Sequence, residues 1–368
     1  MKKSKNEYNV SNERLKIKYF EFLKQARGLV EKTINVKEKS IKYYDDFSGC
    51  EDYKKLSIKR IIDFKDYIKT SELKISSINN ILKNLQDFFT WLASQNGYKN
   101  KIKFELIEYF NLPRGEKRIA QSKSDIKYPS LDEIKTVINS IKPDSEMNRR
   151  NRALLSFAIL SGMRVSAIIS LPLKAFNPET LEVFQDPRLG VNTKFSKTIN
   201  SLLMPFELDL LQEVLDWVNF LKQEKNFKGN DPIFPAMKLG HQGNVKTFKA
   251  VEVKPEFLRS ASHIYKIFEE SFINANLEPY SPHKFRHTAI DLALEKCQNG
   301  KQLKAISQIF GHENIQTTIS VYAQLPEKEV KSIIHEMFNK SAEEEQNKFM
   351  EELCKFYKYY SKNKFLKI

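Results

Sequence analysis

Ser281-Pro282-His283-Lys284-Phe285-Arg286-His287-Thr288 and, further along, Phe310-Gly311-His312-Glu313-Asn314 with Thr317-Thr318-Ile319-Ser320-Val321-Tyr322 decide how this chain is read. His312 stands 25 residues after His287, and Tyr322 ten residues after His312. Upstream, two further segments carry a lone cation each: Ser161-Gly162-Met163-Arg164 and Ser196-Lys197-Thr198. The resulting order is Arg, Lys, His-x-x-Arg, Gly-His and Tyr. Each element alone is weak, because helices contain His-x-x-Arg by chance. The ordered set is specific.

Metal binding is the first rival reading of this histidine cluster. His283 and His287 have the spacing of a helical zinc pair. However, no glutamate follows His283, Arg286 between them would oppose a dication, and Asp291 and Glu295 read as ordinary helix positions. No metal and no cofactor is expected. His287 is read as a packing or supporting residue.

Around these segments the chain is mainly α. Leu15, Tyr19, Phe22 and Leu23 share one helical face, with Leu29 as a candidate extension. Ile58, Ile61, Ile62, Phe64, Tyr67 and Ile68 form a second pattern. Ile78, Ile81, Leu82, Leu85, Phe88, Phe89 and Leu92 form a third, with Ser76 and Ser77 as candidate caps. After a short disordered N-terminus (1–11), residues 12–110 read as a small helical bundle. Residues 111–128 hold Pro113, Gly115 and several charges without apolar period, and read as an extended linker. Residues 129–335 open on a capping box, Ser130 to Glu133. A buried helix follows over 152–162, ended by Gly162. Segments 181–185, 189–195 and 201–206 read as short strands of a small antiparallel sheet. Leu208, Leu211, Leu215, Val218 and Leu221 return to helical period. Residues 336–368 carry a stripe of Phe349, Leu353, Phe356, Tyr357 and Tyr360, which fits packing on its own domain or docking on a neighbouring subunit.

Composition narrows the partners. The chain has 368 residues and a formal net charge of +15. Residues 1–127 hold 28 Lys/Arg against 17 Asp/Glu, whereas residues 128–368 hold 33 against 29. A basic first third on a near-balanced remainder points to a polyanion, with nucleic acid ahead of an acidic membrane. Three cysteines at long spacings give no disulfide framework or zinc ribbon, and favour a reducing, cytoplasmic setting close to the nucleoid. The polar start lacks a signal-peptide core, no run of 18 apolar residues is present, and no GxxxxGK[ST] loop occurs.

Taken together, the ordered segments resemble the tyrosine recombinases, the phage-type integrases of mobile elements, over nearly the whole chain. The resemblance implies a helical core-binding domain that binds DNA, followed by a mostly helical catalytic domain. It implies Tyr322 as nucleophile, His283 as base, Lys197 as general acid, and Arg164, Arg286 and His312 as stabilisers of a phosphate. Lys194 is the alternative lysine. It further implies double-stranded DNA bearing specific recombination sites as partner, a homo-tetramer assembled on DNA, and room for accessory DNA-bending proteins. The C-terminal tail is the candidate link between subunits. The composition adds an argument of its own. A chain with 49 Lys and only 12 Arg still carries Arg at 164 and 286. The guanidinium fork binds two phosphate oxygens at once, which a point charge does not. The sequence departs from the family where an acidic residue commonly follows the first arginine and here stands Ala167, where Phe310 replaces a leucine, and where the His312–Tyr322 spacing is one residue longer than common. A type IB topoisomerase-like relaxase and a catalytically inactive DNA-binding protein remain as alternative readings.

Overall fold

The computed structural model describes residues 9–121, 127–242 and 245–311. His312, Tyr322 and the tail 336–368 lie outside the described residues. The chain divides into two compact units with the boundary between Ile126 and Lys127.

The first unit is all helical. It contains α1 (Val10–Gln25), α2 (Glu31–Ser48), α3 (Ile58–Lys69), α4 (Ile75–Ala93), α5 (Phe104–Glu108) and α6 (Arg114–Gln121). The most regular apolar stripe in the sequence, on α4, is the axis of the bundle: Leu85, Phe88, Phe89 and Leu92 are fully buried. Aromatic rings fill the space around it, with Phe89 stacked on Phe110 at 5.3 Å and edge-on to Tyr44 at 5.4 Å. Asp87 on the same helix ties three elements together. It accepts from the Tyr19 hydroxyl at 3.1 Å, Arg27 at 2.8 Å and Lys37 at 2.6 Å.

Four expectations are corrected here. The chain is ordered into helix from Val10, not from residue 12, because the Asn9 side chain accepts from the Ser11 and Asn12 amides and starts α1. Helix α1 stops at Gln25, so Leu29 does not extend it. Ser76 and Ser77 lie inside the first turn of α4, since Ile75 packs on the core and carries the helix back past them. Residues 114–121, expected to be extended, form α6, with Pro113 just ahead of the first turn, a Lys69–Glu116 ion pair at 2.8 Å and Ala120 against the core. Helix α2 escaped the sequence reading. Its buried face of Ile34, Ile41 and Tyr44 is interrupted by Lys37, whose ammonium is used by Asp87.

The second unit contains α7 (Leu131–Ser140), α8 (Glu146–Ser161), α9 (Val165–Ile168), β1 (Glu182–Gln185), β2 (Ile199–Leu202), α10 (Leu208–Gln223), β3 (Pro235–Gln242), β4 (Val245–Phe257), α11 (Ala261–Asn274), α12 (Pro282–Glu295) and α13 (Gly300–Ile309). The Ser130–Glu133 capping box opens α7 with both reciprocal bonds, at 3.2 and 2.7 Å. Helix α8 runs through the centre, buried at every position from Ala153 to Ser161, with α7, α10 and α12 packed around it. A helix buried on all sides carries no amphipathic period, which is why RALLSFAILSG reads as a continuous apolar run.

The strands form two separate antiparallel pairs, β1–β2 and β3–β4. Glu182 faces Leu202 and Gln185 faces Ile199 in the first. The expected strand over 189–195 is absent. That stretch holds turns at Pro187–Leu189 and Lys194–Ser196, with Gly190 at φ 87° and Phe195 at φ 61°. Its alternating apolar residues do different things: Val191 is buried in the core, and Phe195 is exposed. The β3–β4 hairpin was not expected. Its register shifts between Pro235 and Met237, Lys238 and Leu239, and Gly240 and Gln242, so no clean period of two survives in the sequence. No described helix is long and apolar enough to cross a membrane.

Candidate active site

The site is built where two glycine turns meet one arginine. Helix α8 ends at Gly162 in the left-handed conformation, φ 53°, and the Ser161 hydroxyl accepts from the Met163 amide at 3.2 Å. This tight reversal delivers Arg164 to the N-cap of α9. Gly162 is needed for room as well as for its dihedral. A Cβ there would lie 2.3 Å from the Phe310 ring and 3.3 Å from Ala289 Cβ. The second turn follows α13, where Gly311 takes φ 66° and a Cβ would lie 2.5 Å from Ile199 Cδ1.

Arg286 joins the two turns. It sits on α12, is 3% exposed, and donates to the Gly162 carbonyl at 2.6 Å and to the Phe310 carbonyl at 2.5 Å. Its guanidinium carbon lies 5.3 Å from the Phe310 ring centre. One side chain therefore fixes the Ser-Gly-Met-Arg segment against the Phe-Gly-His segment, although 124 residues separate Arg286 from Gly162.

His283 occupies the first turn of α12, one turn ahead of Arg286, behind Pro282 at the start of the helix. Its proton affinity is held below the ordinary histidine value. Loss of solvation is the larger cause, followed by the positive fields of Arg286 and Arg164. The two arginines thus act on the same imidazole, which places Arg164, His283 and Arg286 in one electropositive neighbourhood.

Behind His283 lies a stack that the sequence reading did not find. His283 meets His287 edge-on at 5.2 Å, and His287 stacks on Tyr128 at 5.9 Å. The Tyr128 hydroxyl donates to Asp291 at 3.0 Å, and the Thr288 hydroxyl donates to the Pro129 carbonyl at 2.6 Å. Burial, then His283 and the neighbouring cations, push the His287 imidazole down to about 4, so it is neutral near pH 7. His287 is buried and packs between His283 and Tyr128, the packing half of what the sequence suggested. Tyr128 carried no signal beyond being an aromatic two residues ahead of a capping serine. Among the described residues, no group of three or more His, Cys, Asp or Glu side chains could hold a metal ion.

Lys197 lies at the end of a tight turn ahead of β2. Phe195 and Ser196 both take positive φ, and the Thr193 hydroxyl closes the turn on the Lys197 carbonyl at 2.6 Å. The hairpin is fastened to the second glycine turn, because the Ser201 hydroxyl donates to the Ile309 carbonyl at 2.8 Å and Ile199 covers Gly311. Lys197 is half-buried, whereas Lys194 is exposed with its ammonium 5.0 Å from the Phe195 ring. Ala167, at the position where the family commonly has an acid, is buried in the core. His312 follows directly on Gly311 in sequence; it and Tyr322 are outside the described residues.

Residues 130–329 match the model of the phage integrase family. A probable integrase/recombinase of Aquifex aeolicus is 27% identical over 317 residues, covering 83% of this chain and 94% of that relative. The ICEBs1 integrase of Bacillus subtilis is 22% identical over 294 residues, covering 77% of this chain and 71% of the relative. Among solved structures, a lambda integrase dimer bound to a core site superposes with a TM-score of 0.59 at 16% identity, covering 84% of this chain and 94% of that one. The Tn1549 transposon integrase in complex with a circular-intermediate DNA gives 0.59 at 14% identity, over 88% and 98%. At these identities the structural likeness speaks for the fold.

Proposed function

The chain belongs to the phage integrase family, and on that premise we propose that it is a site-specific DNA recombinase that cuts and rejoins strands through a 3′-phosphotyrosyl intermediate. In this reading the Tyr322 oxygen attacks a backbone phosphorus in line. The bond from phosphorus to the 5′ oxygen breaks, the phosphate stays on tyrosine, and a 5′-hydroxyl leaves. A 5′-hydroxyl from another strand then attacks the phosphotyrosine and restores a diester. One ester is exchanged for another at each step, so no nucleotide triphosphate is consumed.

A free phenol has a pKa of about 10, so the nucleophile needs a proton acceptor and a positive setting. His283 suits the first task, because its lowered proton affinity keeps it neutral and able to accept. Arg164 and Arg286, with His312, would carry the charge that develops on the pentacoordinate phosphate. Lys197 would protonate the departing 5′ oxygen. The observation that carries the reading is the Arg286 guanidinium bonded to both glycine turns, with Arg164 and His283 in the same electropositive neighbourhood. A rigid guanidinium with aligned neighbours suits a phosphate better than a mobile lysine does.

The first unit, with its excess of basic residues, would hold the duplex together with the second. Two duplexes and four sites are needed for a complete exchange, so a tetramer on DNA belongs to the proposal. The test is a nicked suicide substrate bearing the cognate site, in EDTA. Wild type should give a covalent protein–DNA band, and Tyr322→Phe should give none. A band that persists in that variant refutes the nucleophile. Supercoil relaxation without two-site exchange would favour a relaxase instead.

A further inference from the structure

A cavity of about 450 Å³ opens in the second unit between the start of α8, the base of the β3–β4 hairpin and the N-terminus of α11, and none of Arg164, Lys197, His283 or Arg286 lines it. Its floor is Arg150, 1% exposed. The Arg150 guanidinium donates to the Pro235 carbonyl at 3.0 Å and to the Asn151 side chain at 3.2 and 2.9 Å. No carboxylate among the described residues pairs with it. Burial alone pulls its proton affinity down to about 10. A buried cation without a counter-charge is a standing cost to the fold, which an anion in the cavity would offset.

The other charged residues of the lining leave one further positive charge. Lys254 is paired with Glu256 at 2.7 Å, and Lys266 with Glu270 at 3.5 Å, so those four charges cancel. Arg259 is exposed and has no ion-pair partner among the described residues. Arg150 and Arg259 are therefore two uncompensated positive charges on one cavity. The 14-residue helix α11 begins at the same place. Its N-cap Ser260 makes no capping bond with its side chain, which instead meets the Ser262 hydroxyl at 2.6 Å. The amides of this first turn add partial positive charge. His263, in that turn, senses the field: its proton affinity is lowered first by burial, then by Arg150 and Lys266.

We infer that this cavity is a second phosphate-binding site, distinct from the site of strand cleavage, which takes either a non-scissile phosphodiester of the DNA backbone or a free phosphate. Arg259 would meet the anion from the rim, the α11 amides from the side, and Arg150 from below. Two positive charges and a helix terminus match the charge of a phosphate and exceed what a neutral ligand would require.

The test uses the full-length protein and has two arms. In the first, the His263 ring proton is followed by NMR, assigned with His263→Gln, while inorganic phosphate is added at constant ionic strength. An anion in the cavity should raise the His263 pKa, and Arg259→Gln should remove that response. In the second, binding to duplex DNA is measured against salt. Removing one phosphate contact should lower the slope of log K against log salt by about one. Loss of both the phosphate response and the slope assigns the cavity to the DNA backbone. Loss of the response alone assigns it to free phosphate. A His263 that does not respond to phosphate in wild type, or a response that survives Arg259→Gln, overturns the inference, whatever the slope does. The first arm requires no DNA, so it stands or falls separately from the proposed recombinase activity.

Discussion

Gly162→Ala should damage the site although it adds only one methyl group and touches no cation. Two costs combine. The left-handed φ of 53° penalises any L side chain by about 1–2 kcal/mol. The new Cβ would also sit 2.3 Å from the Phe310 ring, which is itself 2% exposed and has little room to retreat. Overpacking of this kind costs about 1–3 kcal/mol. The total of roughly 2–5 kcal/mol is a large share of the stability of an ordinary domain. Gly190→Ala is the matched control. Gly190 has φ 87° but nothing within 4 Å of its would-be Cβ, so only the dihedral cost applies. The difference in denaturant midpoint between the two variants, converted with their m-values, isolates the contact cost. The functional consequence follows from the same atoms. Gly162 and Phe310 supply the two carbonyls that hold Arg286, so relief of the clash moves at least one of them. Misplacement by about 1 Å is enough to cost on the order of 100-fold in rate. Single-turnover cleavage of the suicide substrate should fall accordingly for Gly162→Ala and not for Gly190→Ala. A Gly162→Ala protein as stable as Gly190→Ala and cleaving at the wild-type rate would refute the reasoning.

Two further expectations concern proton transfer. As base, His283 works only when neutral, so the rate falls as pH drops through its folded pKa. That pKa is depressed by lost solvation, Arg286 and Arg164, so the acid limb of single-turnover cleavage should have its midpoint below about 6.5; a midpoint at or above that value removes His283 as the base. Lys197→Ala should slow cleavage by on the order of 10²–10⁴ and Lys194→Ala should not. A substrate with sulfur as the 5′ leaving atom, which needs no protonation, should restore the Lys197 variant, and failure to do so would assign the lysine a different role.

How much of this was legible in the sequence depended on whether a residue acts through its neighbours in the chain or across the fold. The α4 stripe, the Ser130 capping box and the Gly162 stop are local, and the structure agrees with each. Helix α2 was lost because one position of its buried face is a lysine, and only the fold reveals that Asp87 receives it. The β3–β4 hairpin was lost because bulges erase the alternation on which strand reading rests. The site divides in the same way. Arg164, His283 and Arg286 could be named from their motifs, but the carbonyl partners of Arg286 could not, since backbone acceptors leave no mark on residue identity. Tyr128 illustrates the limit most sharply. Its hydroxyl reaches Asp291, 163 positions away, and no local pattern announces such a contact.

The bonds of Arg286 also bear on why an arginine stands there in a chain so rich in lysine. Two of its nitrogens bind the carbonyls of two different turns, at 2.6 and 2.5 Å, along directions fixed by a planar fork. A lysine could satisfy one of those carbonyls or lean between both, but it could not hold them at a set separation. The structural demand and the proposed chemical one therefore select the same side chain. The fold needs a planar cation to tie Gly162 to Phe310, and a phosphate needs a planar cation that is already immobile when the substrate arrives. A guanidinium anchored by backbone carbonyls meets both demands, because its orientation has been set during folding and need not be set again on binding.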